Sequence, residues 1–545
     1  MFVPIARLLA THWLSLTALA VTLYFARNYF RKGLNKYPGP FLAAVTNWWR
    51  FYFAYKRRPE REFQRLHDRH GDIVRIGPNM LSFSDPEALK TIYALNNGFV
   101  KSRFYHVHQP MVQGKRLESV FTATNEAYHA QLRRCVANAF SMTQVLPYEA
   151  RVDKTSRVFL EETERTQANT GRALDFTFWL QLFAFDVVTE IAFSKTPGFV
   201  KKGGDVEGIL AALEKWFRYV AKVGQIPALD ILLYKNPVWT WLHHAGWTDN
   251  THSFARWSKA RIDERRRAIE AGKAPDEEAT VQSGDLLTQF LKIKEARPDF
   301  FTDARIEAAA SSITVAGSDT TAISLAAVFY NLLKNPSTYQ KLNEELEDAA
   351  QRGIVPKSPA EIVPWGATQQ LPYLDACIKE GFRIHAAIAF NLERVVPPQG
   401  ATICGEFIPG GTVVGCNAWV IHKRREIFGD DVDTYRPERW FIDPQKNRAD
   451  EEARINKMSS TLFHFGAGAR SCLGRYISLL EMYKIIPSFL RNFDIHLVNP
   501  DAELKLRNAW FIKPLNFDVT ITSKTATVND TATQGVPAAP TVLSQ

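Results

Sequence analysis

The sequence predicts a mainly α protein with small β-sheets, organised as a single large domain behind an N-terminal membrane anchor. Three observations point there. Apolar residues recur at helical spacing in segment after segment between Pro59 and Arg491, whereas runs with strand character are few and short. No Ser/Gly-rich linker, composition break or internal repeat divides residues 40 to 515 of the 545. Roughly 19 mostly apolar residues near the start of the chain match the length that spans a bilayer as a helix.

That apolar stretch, Leu8 to Ala26, is diluted by His12, Ser15 and Thr17, and a cleaved signal peptide competes with a retained anchor. It is longer than a signal-peptide core, and Arg27, Arg31, Lys32 and Lys36 follow it in place of a small-residue cleavage site. Only Arg7 precedes it, so the positive-inside bias puts the N-terminus in the lumen and the globular part in the cytosol. Residues 1–36 are therefore read as transmembrane anchor and basic flank. The prolines of Tyr37-Pro38-Gly39-Pro40 forbid helix continuation, which makes 37–41 a hinge before the main domain at 42–522. Residues 523–545, rich in Thr, Ala, Pro and Val, read as a disordered tail. The sequon Asn529-Asp530-Thr531 would lie in the cytosol, out of reach of glycosylation.

Pro59 to His70 carries the pattern of an amphipathic helix, with short strands near Ile73 to Ile76 and Leu81 to Phe83. Helices are predicted from Glu126 to Ala137, Tyr148 to Glu164, Phe176 to Ile191, Val206 to Val220 and His252 to Ala271, with a charged surface loop from Gly272 to Gly284. The longest helix begins after Thr302 and stops at Asn335-Pro336; its roughly 32 residues span about 48 Å. Heptads are absent and Arg305, Glu307 and Asp319 interrupt its apolar character, so it is read as a buried central helix. A helix from Tyr373 to His385, strands within Ala401 to Val414, and a last helix from Leu473 towards Arg491 complete the pattern.

The 46% hydrophobic content, with 36 Phe and 13 Trp, provides for a core and an enclosed pocket. A net charge of +10 suits nucleic acid or an anionic membrane surface. No zinc-finger spacing, recognition-helix signature or basic tail accompanies it, which argues against nucleic acid. Cys135, Cys377, Cys404, Cys416 and Cys472 are odd in number and widely spaced, as expected of a reducing compartment without a disulfide framework.

The most informative stretch is Phe465-Gly466-Ala467-Gly468-Ala469-Arg470-Ser471-Cys472-Leu473-Gly474. At a helix N-terminus, Cys472 would meet unpaired N–H groups and the positive end of the helix dipole, both of which favour thiolate over thiol. The glycines let the backbone lie close against a flat ligand, and Arg470 can hold a carboxylate in a forked pair. These are the needs of a cysteine-ligated haem. The stretch resembles the haem-binding loop F-x-x-G-x-R-x-C-x-G of the cytochrome P-450 family, the haem-thiolate monooxygenases. A Gly-rich turn around an inert buried cysteine is the competing reading. The resemblance covers about residues 38 to 515 and implies the cytochrome P-450 fold. It also implies haem b with Cys472 as axial thiolate, Arg470 on a propionate, and Phe465 within the cofactor-binding loop.

In the long helix, Ala316-Gly317-Ser318-Asp319-Thr320-Thr321 is rich in poor helix formers, and threonine can bond back to an earlier carbonyl. A local kink or opened groove is expected. The segment resembles the family's Gly-x-Asp/Glu-Thr-Thr/Ser motif, which implies that the Thr320 hydroxyl organises water where dioxygen is activated and that Asp319 carries protons to it. Glu380 and Arg383 resemble the family's E-x-x-R helix, and Tyr435-Arg436-Pro437-Glu438-Arg439-Trp440 its partner segment; together they imply a buried, structural Glu380–Arg383–Arg439 cluster. Further propionate partners are implied at Arg394, in Leu392-Glu393-Arg394-Val395-Val396-Pro397, and at His129 and Arg133, in the place of the family's W-x-x-x-R. An exposed basic helix face competes for Arg133. His129 stands where the family has tryptophan, and Ala386 where a proline is usual.

The resemblance implies a monooxygenase of the endoplasmic reticulum membrane, inserting one oxygen atom from dioxygen into a lipophilic small molecule. No dinucleotide-binding G-x-G-x-x-G follows Pro514, so electrons are expected from a separate NADPH-dependent flavoprotein reductase, which cations such as Arg133 and Arg134 would attract. Candidate substrate-contacting residues are Ile313, Ala316, Ile388, Phe390, Trp510 and Phe511. The pattern from Phe390 to Pro397 resembles fungal microsomal members of the pisatin demethylase type, implying a secondary metabolite such as a polyketide or terpenoid. Two other readings stay open. A non-catalytic haem-thiolate sensor has no use for Asp319-Thr320, and a haem-thiolate isomerase or dehydratase tends to lack a hydroxyl like that of Thr320.

Overall fold

Helix Asp303–Lys334 runs unbroken for 32 residues through the middle of the protein, as its apolar character predicts. The computed structural model describes residues 2–56, 58–112, 115–116, 118–247, 252–272 and 284–524. The tail beyond Lys524 and most of the charged loop predicted over 272–284 fall outside them. Along the central helix packs Phe176–Phe193, whose side chains are nearly all buried. Gly317 permits the close approach: a Cβ there would stand 2.5 Å from Val188 Cγ2. Both helices are long and apolar enough to cross a bilayer, yet their most apolar windows are 67% and 94% buried inside the protein, as core helices are. The opened groove predicted at Ala316 to Thr321 does not interrupt the helix. Thr320 Oγ1 instead donates to the Ala316 carbonyl at 2.8 Å, so the hydroxyl is satisfied along the helix ladder.

Pro59–His70, Glu126–Val136, Glu149–Thr166, Ile209–Val223 and Ser253–Glu270 lie where apolar spacing predicts helices. Helix Pro372–Ile384 carries Glu380 and Arg383, both wholly buried, with Arg383 Nη2 donating to Glu380 Oε1 at 2.7 Å. Arg439 reaches the same carboxylate from the short turn Pro437–Trp440. The predicted three-residue cluster is therefore present, and Trp440 Nε1 joins it at 3.0 Å.

The largest sheet has five strands in the order Ile73–Gly77, Met80–Phe83, Val413–Cys416, Arg394–Val395 and Val100–Lys101. Met80–Phe83 and Val413–Cys416 run parallel, and the other neighbours run antiparallel. One correction concerns the C-terminal region, where the sequence pattern suggests no strands. Phe493–Leu497 pairs with Asp518–Ser523, and Lys505–Ala509 forms a hairpin with Phe511–Leu515. The hairpin turns at Trp510, whose φ of +78° belongs to the region glycine or asparagine normally occupies. A turn built on tryptophan has no punctuation in the sequence.

The N-terminal helix extends over Phe2–Tyr29, beyond the predicted Leu8 to Ala26, and leaves Trp13, Leu14, Leu19 and Leu23 exposed. Its end is fixed to the body. Arg75, 1% exposed, donates to the carbonyls of Asn28 and Tyr29 at 2.7 Å each. The proline-rich segment after it lies against the same strand, with the Arg75 N–H bonded to the Pro38 carbonyl at 2.7 Å.

Candidate active site

The segment from Phe465 to Cys472 closes on itself, the Cys472 N–H donating to the Phe465 carbonyl at 2.9 Å. Gly468 turns it at φ +63°, and a Cβ there would stand 1.8 Å from the Tyr93 carbonyl oxygen, so a side chain cannot be accommodated. Phe465 packs edge-on against Phe382 with ring centres 5.3 Å apart. The following helix, Arg475–Asn492, begins later than the predicted Leu473. Cys472 lies deep in the protein and is exposed only towards an internal cavity. Burial raises its thiol pKa; hydrogen bonding from the Gly474 N–H and the positive charges of Arg133 and Arg475 oppose that rise. All five cysteines are free thiols.

The cavity has a volume of about 380 Å³ and a wall that is mostly apolar. Cys472, Phe465 and Thr320 all border it. All six apolar candidates, Ile313, Ala316, Ile388, Phe390, Trp510 and Phe511, line it. Phe390 stacks on Trp510 at 5.7 Å, and Phe217, from Ile209–Val223, meets Phe511 edge-on at 4.6 Å. Two polar residues on this wall, His108 and Glu481, have no motif in the sequence to announce them. Burial holds His108 neutral, with a pKa lowered to about 3, and pushes the Glu481 carboxyl well up.

The predicted cations gather at one end of the cavity. Arg470, Arg394, Arg133 and His129 all line it. Arg470 Nη2 pairs with Glu126 Oε1 at 2.6 Å. Arg133 points inward, Nη1 donating to the Ser471 carbonyl at 2.9 Å, so it belongs to this site and not to an exposed basic face. Arg394 lies 4.9 Å from the centre of the Tyr93 ring. His129 is 2% exposed with Nε2 unpartnered. Burial first, then the neighbouring Arg470, lower its pKa to about 3, so it is a neutral hydrogen-bonding group and not a cation. Lys101, which no motif marks, joins the same wall.

Asp319 is placed differently from Thr320. It is 9% exposed, and its carboxylate accepts from Gln181 Nε2, whose Oε1 accepts in turn from Lys513 Nζ. Burial raises the Asp319 pKa, against the nearby Lys513 charge. Gln181 and Lys513 come from a distant helix and a C-terminal strand, so sequence proximity gives no hint of either.

The residues present suit an iron porphyrin with two carboxylates. They offer one accessible thiol on a loop whose Gly468 admits no side chain, a mostly apolar cavity, and donors that include an orphaned histidine nitrogen.

The comparisons with known proteins agree. The cytochrome P-450 family model matches residues 38–521. A cytochrome P-450 monooxygenase of Aspergillus terreus is 40% identical across 86% of this chain and 91% of its own length. Cytochrome P-450 monooxygenase cicH of Emericella nidulans is 39% identical, covering 92% of this chain and 96% of its own, and monooxygenase pkfB of the same organism is 35% identical over 89% and 90%. The family match spans both the central helix and the thiol loop. The chain therefore belongs to the cytochrome P-450 family, in its fungal branch, and is a monooxygenase: an oxidoreductase that incorporates oxygen from dioxygen.

Proposed function

We propose that this enzyme oxidises a lipophilic secondary metabolite, such as a polyketide or terpenoid, at the endoplasmic reticulum membrane, with electrons from an NADPH-dependent flavoprotein reductase. The observation that carries this reading is the presence of the Cys472 thiol and the Thr320 hydroxyl on the walls of one largely apolar cavity. Haem b held by Cys472 supplies the oxygen-activating chemistry when bound. Arg470, Arg394 and Arg133 would hold its propionates through charge-assisted hydrogen bonds, neutral His129 would contribute an N–H, and Phe465 would belong to the loop that binds it. The apolar wall selects an apolar substrate and excludes bulk water. Thr320 orders water in the cavity once its hydroxyl leaves the Ala316 carbonyl. Asp319 holds a proton at its carboxyl and passes it towards Thr320 when it swings off Gln181. A hydroxyl at this place favours oxygen insertion over isomerisation.

The exposed apolar side chains between Trp13 and Phe25 and the cations Arg27, Arg31, Lys32 and Lys36 after the apolar run support a single-pass anchor with the catalytic domain in the cytosol. The test is the spectrum of the reduced carbon monoxide complex, followed by turnover of lipophilic host extracts under labelled dioxygen with reductase. A strongly red-shifted Soret band and one labelled oxygen atom per product are expected. A histidine-type spectrum overturns the assignment of Cys472.

A further inference from the structure

Lys101 lies directly opposite Arg394 in the antiparallel pairing of Val100–Lys101 with Arg394–Val395. Directly opposed residues project from the same face of a sheet with Cβ atoms about 5 Å apart, and like charges so placed repel. Here both are also nearly dry, at 5% and 4% exposure. An ammonium has three donors. One goes to the Phe121 carbonyl, and the charge lies between two rings, 4.1 Å from the centre of Tyr105 and 4.3 Å from that of Phe121. Arg394 bonds to the Glu393 carbonyl at 2.9 Å and to Tyr105. The Glu393 carboxylate is taken by Arg50 and Ser102.

Arg133 and Arg470 complete the cationic wall of the cavity. Among the described residues, Arg470 alone of the four cations has a carboxylate partner, Glu126. Burial, then Arg394 and Arg470, drive the Lys101 pKa well down. Unpaired buried charges are strongly unfavourable unless an anion accompanies them. A fold that buries these together is built around an anionic ligand.

We propose that Lys101 is an anchoring cation for a haem propionate, acting with Arg394 across the strand pair. This rests on the haem-thiolate reading of the cavity.

The experiment follows haem transfer from full-length holoenzyme to excess apomyoglobin for the native protein, Lys101→Met and Lys101→Arg. Each is also loaded with haem dimethyl ester, in which both propionates are uncharged. A charge-assisted hydrogen bond predicts that Lys101→Met releases natural haem about tenfold faster, with Lys101→Arg close to native. With the dimethyl ester, the Met variant and the native protein should release at the same rate. Equal release of natural haem would overturn the proposal, and so would a difference that persists with the ester, because Lys101 would then act only through the fold. If the Met variant does not accumulate, Lys101→Gln, which keeps the stem and a donor, takes its place in the same comparison. Failure of the haem reading itself shows earlier, as a native protein without the thiolate Soret band.

Discussion

Arg439 Nε lies 2.8 Å from Glu380 Oε1 across 59 residues of sequence, with both side chains shut off from solvent. The carboxylate also accepts from Arg383 Nε and Nη2, at 2.9 and 2.7 Å, and from Trp440 Nε1. Glu380, with Asp431 3.0 Å from Arg439 Nη1, thus balances the two buried guanidinium groups and ties helix Pro372–Ile384 to the turn Pro437–Trp440.

Removing that anion should be costly. Glu380→Ala leaves the buried Arg383 without a carboxylate and Arg439 with Asp431 alone, and a loss of about 3–5 kcal/mol is expected. Urea unfolding of the purified protein measures it. A loss below about 1 kcal/mol would show that water enters and takes over the solvation.

If the Thr320 hydroxyl orders water as proposed, Thr320→Ala should retain haem and substrate binding but divert most electrons from product to hydrogen peroxide. Thr320→Ser should stay largely coupled. Asp319→Asn should slow turnover by about 10²-fold, because an amide does not relay protons as a carboxyl does. Product, peroxide and reductant consumption are measured together. Unchanged coupling in the alanine variant points to Thr321 or substrate-held water.

His67 provides a pH test away from the cavity. Its ring nitrogens lie 2.9 Å from the Gly71 carbonyl and 2.8 Å from Ser82 Oγ, and burial lowers its pKa from 6.5 to about 4. The unfolded chain binds a proton that the folded form refuses, so this contribution is complete above pH 6.5 and shrinks as pH falls towards 4. Between pH 6.5 and 5 the stability difference between native protein and His67→Gln should narrow by about 2 kcal/mol. Parallel stability curves would contradict the shift.

Two N-terminal deletions should behave differently. Removing residues 1–26 leaves both Arg75 acceptors, Asn28 and Tyr29, in place and should release a haem protein of native stability from membranes. Removing 1–36 strips both carbonyls from a buried guanidinium and should cost about 1–3 kcal/mol. Thermal unfolding and fractionation at high salt check both. Equal melting of the two would mean that Arg75 finds replacement acceptors.

Much of this architecture is legible in the sequence because it is local. The Cys472 loop packs its glycines, arginine and thiol into ten positions, and Glu380 and Arg383 share one helix face through three-residue spacing. Periodicity finds Pro59–His70 and Asp303–Lys334 because each presents a helical pattern over many residues. What escapes is non-local. Nothing near Lys101 announces Arg394, and nothing near Asp319 announces Gln181 or Lys513; strand pairing and helix packing bring them together. The break predicted at Ala316 to Thr321 fails because most of the poor helix formers there find tertiary or ladder partners: Gly317 receives Val188, Asp319 accepts from Gln181, Thr320 bonds to Ala316 and Thr321 to Ser478. The hairpin around Trp510 is missed because its turn residue is the wrong type for its backbone angle.

That late hairpin also sets the order of events on the ribosome. Lys101 is made early, Thr320 past the middle, Cys472 near the end, and Trp510 and Phe511 last among the cavity residues. A nascent chain that has not yet reached Arg470 already carries three of the four cations of the wall, with neither the thiol nor the aromatic strand that lines the cavity. Cofactor capture is consequently a nearly post-translational event. Both the thiol loop and the late aromatic hairpin must leave the ribosome before the cavity can close around its ligand.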